Sequence, residues 1–469
     1  MRPPEGESAR PLPGDPGRPL PASLGDALAW LDRHVNLEAI ERGVAGRAAA
    51  PTLERVEALV SAIGDPQDAY GVVHVTGTNG KGSTTRICSN LLAGTGLSVG
   101  TYTSPHLERL NERIARNGLA IGDEELCEQL TALSALEEFL VARDAWPTPP
   151  TWFELVTTAA FRWFADVAVE AAVVEVGLGG RYDATNVADG AVAVVTNVDL
   201  DHTEILGSTR EEIAAEKSGI VKPGAVLVLG ERDPDIARIF LDAARSVGAD
   251  AVLRRSVDFD CTSNRAAHGG RVLDLRTPRA AYDEVYLPLF GAHQGDNAAA
   301  ALAAAEALLG APVAEDVVVE AFAATTVPGR LEIVGRRPLV VLDGAHNRAG
   351  IEALRDALDE DFAAPDRIVA VVGCLRGRDP GELLGALRGE RLTGVVACAP
   401  PSPRALPASE IADAAASVGL AATVADTVDD ALEIALARVA PDDLVLVTGS
   451  LYVVGVARAA ARRLGCMRP

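Results

Sequence analysis

The stretch GVVHVTGTNGKGST, residues 71–84, decides how the rest of this chain is read. GVVHVT (71–76) is rich in β-branched side chains and runs into a glycine turn. From Ser83 to Leu92 the pattern turns helical. Strand, glycine loop and helix in that order open an α/β unit. The geometry suits phosphate: glycines let an anion approach the backbone, loop N–H groups point inward, and a helix N-terminus favours negative charge. Lys81 is the point charge that would reach the outer phosphates of a nucleotide. The spacing is not a strict Walker A, because two residues separate Gly77 from Gly80 and Gly82 precedes Ser83.

Working outward, AAVVEVG (171–177), AVAVVTNV (191–198) and AVLVLG (225–230) are continuous apolar runs of strand length. Such runs mark buried parallel strands. Ahead of the loop, helical periodicity covers Ala27–Leu37 and Leu53–Ile63. Residues 231–290 are patchier, with alternation in VLDLRT (272–277) and VYLPLF (285–290), followed by an Ala-rich helix over Asn297–Leu309. After a break at VPGR (327–330), LVVLDG (339–344), RIVAVVG (367–373), GVVACAP (394–400) and LVLVTG (444–449) alternate with helices over 349–359, 380–388, 408–418, 428–438 and 452–464. The fold class is therefore α/β, with a mostly parallel first sheet and a second, smaller α/β sheet. Domains are expected over 23–327 and 328–469. Residues 1–22, proline-rich and poor in hydrophobes, read as a disordered tail.

The chain has 469 residues, enough for two or three domains. With 43 Lys plus Arg against 66 Asp plus Glu, its net charge is −23. That argues against nucleic-acid and anionic-membrane partners, which want a basic face. The cations are 40 Arg and only 3 Lys, at Lys81, Lys217 and Lys222. A lysine kept in such a background is a candidate for chemistry that arginine cannot do. The 6 cysteines have no CxxC spacing, no secretory segment opens the chain, and no run reads as a membrane span. A cytoplasmic, monomeric protein acting on small molecules is expected.

Four further motifs carry chemistry. In TYTSPHLERLNERI (101–114), Ser104 is extended by the following proline, and His106 and Arg113 could meet an anion. In EVGLGGRYDATN (175–186), Glu175 closes an apolar strand where open α/β sheets hold ligands. A carboxylate there suits Mg²⁺, which takes carboxylate and phosphate oxygens. In TNVDLDHTEILG (196–207), Asp199, Asp201 and His202 share a sheet edge, with no partner spaced for zinc. Taken singly, an ordinary loop, an ion pair or a satisfied core histidine accounts for these residues about as well. In EKSGIVKPG (216–224), Lys217 follows a helical run, whereas Lys222 reads as a solvated turn. A lysine carbamylated by CO₂ would be an anion compatible with a metal site, a reaction closed to arginine.

GTNGKGST, TSPHL…NERI, TWFE, EVGLGGRYDATN, DHTEILG, EKSGI, HQGDNAAAA, PGRLE, DGAHN and GSLYVVG follow one another over about residues 24–460. In that order they resemble the folylpolyglutamate synthase and dihydrofolate synthase branch of the Mur ligases. The resemblance implies a P-loop ATPase domain followed by a Rossmann-like domain, with ATP between them. It implies ligation of L-glutamate to dihydropteroate or reduced folates through an acyl phosphate. It carries the phosphate loop to Thr78, Asn79, Gly80, Lys81, Gly82 and Ser83. The adenine contact falls on Asn297, and nucleotide contacts from the second domain on Arg330 and Asp343. Two Mg²⁺ ions and the ligands Ser104, Glu175 and His202 are implied, with carbamylated Lys217. Asp343 and His346 fall on the glutamate side. The pterin pocket falls on Thr151, Trp152, Phe153, Glu154, Tyr182, Asp183 and Ala184. Two positions depart from the pattern: Arg348 stands where proline is usual, and Gly377 where an acidic residue is common. A cell-wall Mur ligase and a nucleotide switch without ligase activity are the rivals. The first would carry a further N-terminal domain; the second would not need Glu175, His202 and Lys217 together.

Overall fold

The β-branched runs become the strands of a large sheet whose centre is the run that opens the phosphate loop. The computed structural model describes residues 20–39, 52–141 and 149–466, so the expected tail lies, up to residue 19, outside the described residues. In chain order the strands are β1 Gly71–Thr76, β2 Val99–Tyr102, β3 Ile114–Arg116, β4 Leu119–Ala120, β5 Ala171–Glu175, β6 Val192–Val195, β7 Val226–Leu229 and β8 Ala251–Arg254. They form one sheet in the order β4-β3-β2-β5-β1-β6-β7-β8. From β2 to β8 all pairings are parallel. The apolar runs are uninterrupted because β1, β5 and β6 are covered on both faces. The helices Lys81–Gly94 and His293–Leu309 cover one face, and Asp123–Val141 and Trp152–Asp166 the other.

The patchy region 231–290 yields β9 Asp260–Ala267, β10 Gly270–Arg276 and β11 Ala281–Leu287, a separate antiparallel sheet in the order β11-β10-β9. The third sheet runs β12-β13-β17-β14-β15-β16. Its strands are β12 Glu332–Arg336, β13 Leu339–Leu342, β14 Ile368–Val372, β15 Leu392–Ala397, β16 Ala422–Val424 and β17 Leu444–Thr448. All but the β12–β13 pair are parallel. β17, made last, lies between β13 and β14 in the middle of the sheet.

Two helices depart from their expected bounds by a full turn or more, the others by a residue or two at an end. The N-terminal one ends at Leu31 instead of Leu37, because His34 turns inward. Its ring bonds Leu31 O at 3.1 Å and the buried Glu137 at 2.9 Å, and Glu137 also accepts from Trp30 at 3.0 Å. The Ala-rich helix starts at His293, four residues early, which puts Asn297 in its second turn.

The last helix, Leu451–Arg463, closes the molecule against the first sheet's loops. A Cβ on Gly455 would sit 2.1 Å from Leu107 O, so only glycine allows the contact. Beside it Glu108 accepts from Arg458 at 2.7 Å and also pairs with Arg462, while Arg458 reaches Glu332 at 2.9 Å.

Candidate active site

The C-terminal ends of β1, β5 and β6 lie side by side, and the loops that leave them meet the corresponding loops of the third sheet. Strand connections depart in opposite directions from this point, where open α/β sheets hold ligands. Two cavities open there. One, of about 450 Å³, is walled by the loop Gly77–Ser83, Glu175, Lys217, Asn297, Arg330 and Asp343. The other, of about 470 Å³, is walled on one side by Thr151, Phe153, Glu154, Tyr182, Asp183 and Ala184. Ser104, Pro105, Gly177, His202 and His346 border both cavities, so the two form one bent cleft.

The phosphate loop is held from below. Thr78 N–H donates to Asn197 O and Asn79 N–H to Asn197 Oδ1, both at 3.0 Å. Gly80 has φ +82°, and a Cβ there would strike Asn297 Oδ1 at 2.3 Å. The helix then begins at Lys81, leaving its first N–H groups without intrahelical acceptors. Lys81 Nζ donates to Gly77 O at 2.9 Å and Thr78 O at 3.2 Å. Lys217 Nζ, buried, donates to the same Gly77 O at 3.0 Å. Burial, and then the charge of Lys81, lower the Lys217 ammonium from its ordinary range to about 7. Burial also lowers Lys81, against the attraction of Glu175 and Asp201.

Glu175 is buried at the end of β5 and accepts Ser104 N–H at 3.1 Å. Burial raises its carboxyl above the usual range, and no Lys, Arg or His lies within salt-bridge distance of it among the described residues. A buried carboxylate without a close cation calls for one. Among the described residues, no three His, Cys, Asp or Glu side chains form a metal cage. That fits a hard cation completed by a hydroxyl and phosphate oxygens, such as Mg²⁺, better than an all-protein site. His202 stands at φ +50°, in the left-handed region, and burial brings its imidazole down to about 3. The neutral ring is a competent ligand.

Asp201 ties the two halves together. Its carboxylate pairs with Arg378, accepts Asn347 Nδ2–H at 2.8 Å and lies 3.8 Å from His346 Nε2. Burial alone would raise it; His202, His346 and Arg378 hold it below its ordinary value. Asn347 also donates to Asn79 Oδ1 at 3.1 Å while capping its own helix through Gly350 N–H. His346 Nδ1 lies 2.7 Å from Gly344 O, so the proton sits there and Nε2 keeps its lone pair. Burial lowers this ring to about 4. Asp343 accepts Ala345 N–H at 2.8 Å and Leu331 N–H at 2.9 Å, shaping the turn that carries Arg330.

Several expectations need correction. Trp152 is not on the cavity wall. Its ring packs beneath the Arg113 guanidinium, 4.8 Å from the centroid, and its Nε1–H donates to Asp32 at 3.2 Å. Arg113 does not await an anion, because Glu38 takes both ends of its guanidinium at 2.8 and 2.6 Å and His106 its Nε–H at 2.9 Å. Glu154 borders the cavity, but Arg55 and Thr151 N–H already engage its carboxylate. Lys222 is half-buried instead of solvated, donating to Asn186 O at 2.9 Å and pairing with Asp189 at 3.3 Å. The two departures leave the cleft untouched. Arg348 is the first residue of its helix, where proline fits equally, and its side chain turns out to Glu352 at 2.9 Å. Gly377 sits in a left-handed turn with open space around it. Arg378, Asn347 and Arg404 were not among the expected site residues.

Residues 75–305 match the Mur ligase middle domain, and residues 329–451 match the Mur ligase glutamate ligase domain. A dihydrofolate synthase/folylpolyglutamate synthase of Mycobacterium tuberculosis is 37% identical, covering 87% of this chain and 89% of its own length. This chain belongs to that branch of the Mur ligase family. It is an ATP-dependent ligase. The Mycobacterium tuberculosis folylpolyglutamate synthase solved with ADP superimposes with a TM-score of 0.85 at 35% identity, covering 94% of this chain and 98% of that one. The Escherichia coli member of the branch, solved with DHPP and ADP, gives 0.80 at 30% identity, with coverages of 94% and 99%. No helix among the described residues is long and apolar enough to cross a membrane.

Proposed function

We propose that this enzyme joins L-glutamate both to dihydropteroate and to reduced folates. The bent cleft carries the reading: a phosphate-type cavity and an apolar one meet along Ser104, Gly177, His202 and His346. An acid lying in the second cavity would bring its carboxylate to the phosphate end of the first. The catalytic unit would divide between 23–327 and 328–469 and work as a monomer.

Thr78, Asn79, Gly80, Lys81, Gly82 and Ser83 hold the phosphates, Asn297 faces the base, and Arg330 and Asp343 close on the nucleotide. Ser104, Glu175 and His202 would hold Mg²⁺, with a second ion nearer Lys217. Bound there, the metal neutralises phosphate oxygens. Glu175 is suited to this because its carboxylate faces the loop, where a Cβ on Gly82 would come within 3.5 Å of Oε2. Phe153, Tyr182, Asp183 and Ala184 seat the pterin, with Thr151 and Glu154 bracing that wall. A carboxylate is a poor acyl donor; phosphorylated, it yields to the amine of glutamate. Positioning and charge neutralisation carry such a reaction. His346, neutral and with Nε2 free of its own proton, is placed to take a proton from the attacking amine.

Lys217 is proposed to be carbamylated. Its ammonium is buried, crowded by Lys81 and lowered to about 7, so the neutral amine that attacks CO₂ is accessible. The carbamate would turn a repelling cation into an anion that orients the metal's shell.

The test is product mass analysis with dihydropteroate and tetrahydrofolate in parallel, while ADP release is followed. ADP released only when an acid and glutamate are both present, with one glutamate added to each acid, is the expected result. Incorporation into tetrahydrofolate alone would mean a monofunctional synthase. ADP release indifferent to both acids would mean a nucleotide switch.

A further inference from the structure

The first strand carries a histidine that no step above uses. His74 lies within β1, fully buried, on the face that Val72 turns toward the helix Trp152–Asp166. Val73 and Val75 point to the opposite face. The ring borders neither cavity. It is nonetheless joined to one of them. His74 Nε2 lies 2.8 Å from Thr185 Oγ1, and Thr185 Oγ1 lies 2.5 Å from Oδ1 of Asp183, which is on the acid-cavity wall.

The proton positions in this row follow from counting. Burial raises the Asp183 carboxyl, but hydrogen bonds from Thr185, Leu178 and Gly177 oppose this and favour the anion. An ionised carboxylate only accepts, so the single hydroxyl proton of Thr185 goes to Asp183. His74 must then donate through Nε2–H. Burial, and then the charge of Lys222, bring the ring down to about 3, so it holds one proton and Nδ1 is bare. Nδ1 is buried without a partner among the described residues. An apolar side chain at this position would avoid that cost. Helix capping does not explain it, because Asp183 caps the turn Ala184–Val187 through Thr185 N–H at 3.1 Å without any help from His74. What His74 adds is direction: it occupies Thr185 Oγ1 from behind and leaves the hydroxyl hydrogen pointing at Oδ1. With Oδ1 taking both Thr185 donors, Oδ2 is turned to Leu178 N–H at 2.9 Å and to Gly177. A Cβ on Gly177 would stand 3.1 Å from Oδ2 and 2.5 Å from Phe153 Cζ, and both Gly177 and Phe153 line the acid cavity.

We propose that His74 is a positioning residue for the acid substrate: acting through Thr185, it holds Asp183 so that Oδ2 accepts from N–H groups of the pteridine ring. This deepens the glutamylation reading and rests on it. Dihydropteroate and the reduced folates carry the same amino-pyrimidinone edge, so the effect is shared by both acids.

The experiment measures KM for each acid, for ATP and for glutamate, with thermal melts, in wild type, His74→Leu, His74→Gln, Thr185→Val and the double variant His74→Leu with Thr185→Val. Thr185→Val keeps the side chain's shape and carries the test if His74→Leu fails to fold. Breaking the row should raise KM for both acids about 10-fold in His74→Leu and in Thr185→Val, while KM for ATP and for glutamate stays within about twofold. The double variant should be no worse than either single one, because both break the same row. Glutamine, whose amide N–H reaches the same point, should restore most of the loss. An unchanged acid KM in Thr185→Val overturns the assignment. So do additive effects in the double variant, and so does a His74→Gln enzyme as impaired as His74→Leu, because the row would then transmit nothing. A rise in every KM with a lowered melting temperature in all variants also overturns it, because the role would be structural. If wild type itself transfers no glutamate, the parent reading fails, and this result is distinct from any of those.

Discussion

The edges of the first and third sheets face each other across the cleft, and they are built on opposite plans. The first works through backbone and short, buried groups: a glycine loop, a helix N-terminus, Glu175, and two lysines folded onto one carbonyl. The third works through reach: Arg330, His346, Asn347, Arg378 and Arg404 extend from turns toward the first sheet. The first edge is therefore complete in itself, whereas the third acquires meaning only when Asn347 meets Asn79 and Arg378 meets Asp201. On the proposed reading, phosphate is met first by one local loop, whereas the donor is met by groups that come together only across the gap.

The contrast can be broken most forcefully at the first edge. Glu175→Gln should lower kcat by about 10²–10³ with an unchanged melting temperature, the usual cost of one electrostatic contact at a developing charge. Normal turnover would remove Glu175 from the metal site. Lys217→Arg keeps the charge but cannot be carbamylated, and should be inactive, while Lys217→Ala should regain activity with added short carboxylic acids. A ¹³CO₂-labelled active enzyme lacking a carbamate signal would decide against the modification.

At the junction the expected effect is smaller. Asp201→Asn removes the anion that holds Arg378 and should cost about 10-fold in kcat/KM. An effect on the ATP step alone, with the glutamate step untouched, would show that the edges act independently. Lys217 also gives a pH signature in CO₂-free buffer. Its folded value of about 7 lies below the ordinary lysine value of 10.5, so the unfolded chain binds the extra proton between them. Wild type should gain stability relative to Lys217→Met as pH rises from 7 toward 10, and show no such slope below 7. A flat difference in thermal melts would mean an ordinary lysine. The smallest change is Arg348→Pro, expected to alter stability by less than about 0.5 kcal/mol and kcat hardly at all, since the site is an exposed first helical residue.

The same contrast explains what was legible in the sequence. Glycine spacing is a local signal, so residues 77–84 could be read directly. Lysine scarcity singled out Lys217, because a chain with 3 lysines makes each one conspicuous. Arg378 and Arg404 had no such advantage among 40 arginines, and Asp201, the partner of Arg378, lies far away in sequence. Trp152 was misplaced because a motif fixes a helix start, not which side chain of its first turn faces the cavity. Thr151 and Glu154 cap that helix through a reciprocal pair of bonds, Phe153 faces in, and Trp152 faces back. The short N-terminal helix was overextended because periodicity cannot see that His34 is drawn toward Glu137, about a hundred residues on. The third sheet's inner strands β13, β14 and β17 were plain because they are buried on both faces, whereas the edge strand β16, exposed at both ends, left no apolar run to read.

The central place of β17 has a consequence for how the enzyme comes into being. Chains emerge from the ribosome N-terminus first, and domains fold as units. The first sheet can be finished while its last strand, β8, is still close behind the exit tunnel. The third cannot, because β13 and β14 have no common neighbour until residues 444–448 arrive. Nor can the halves lock before the helix 451–463 follows. A nascent chain therefore carries a nucleotide pocket long before it carries a donor pocket, and a product cut short before residue 444 holds half a cleft with nothing to ligate.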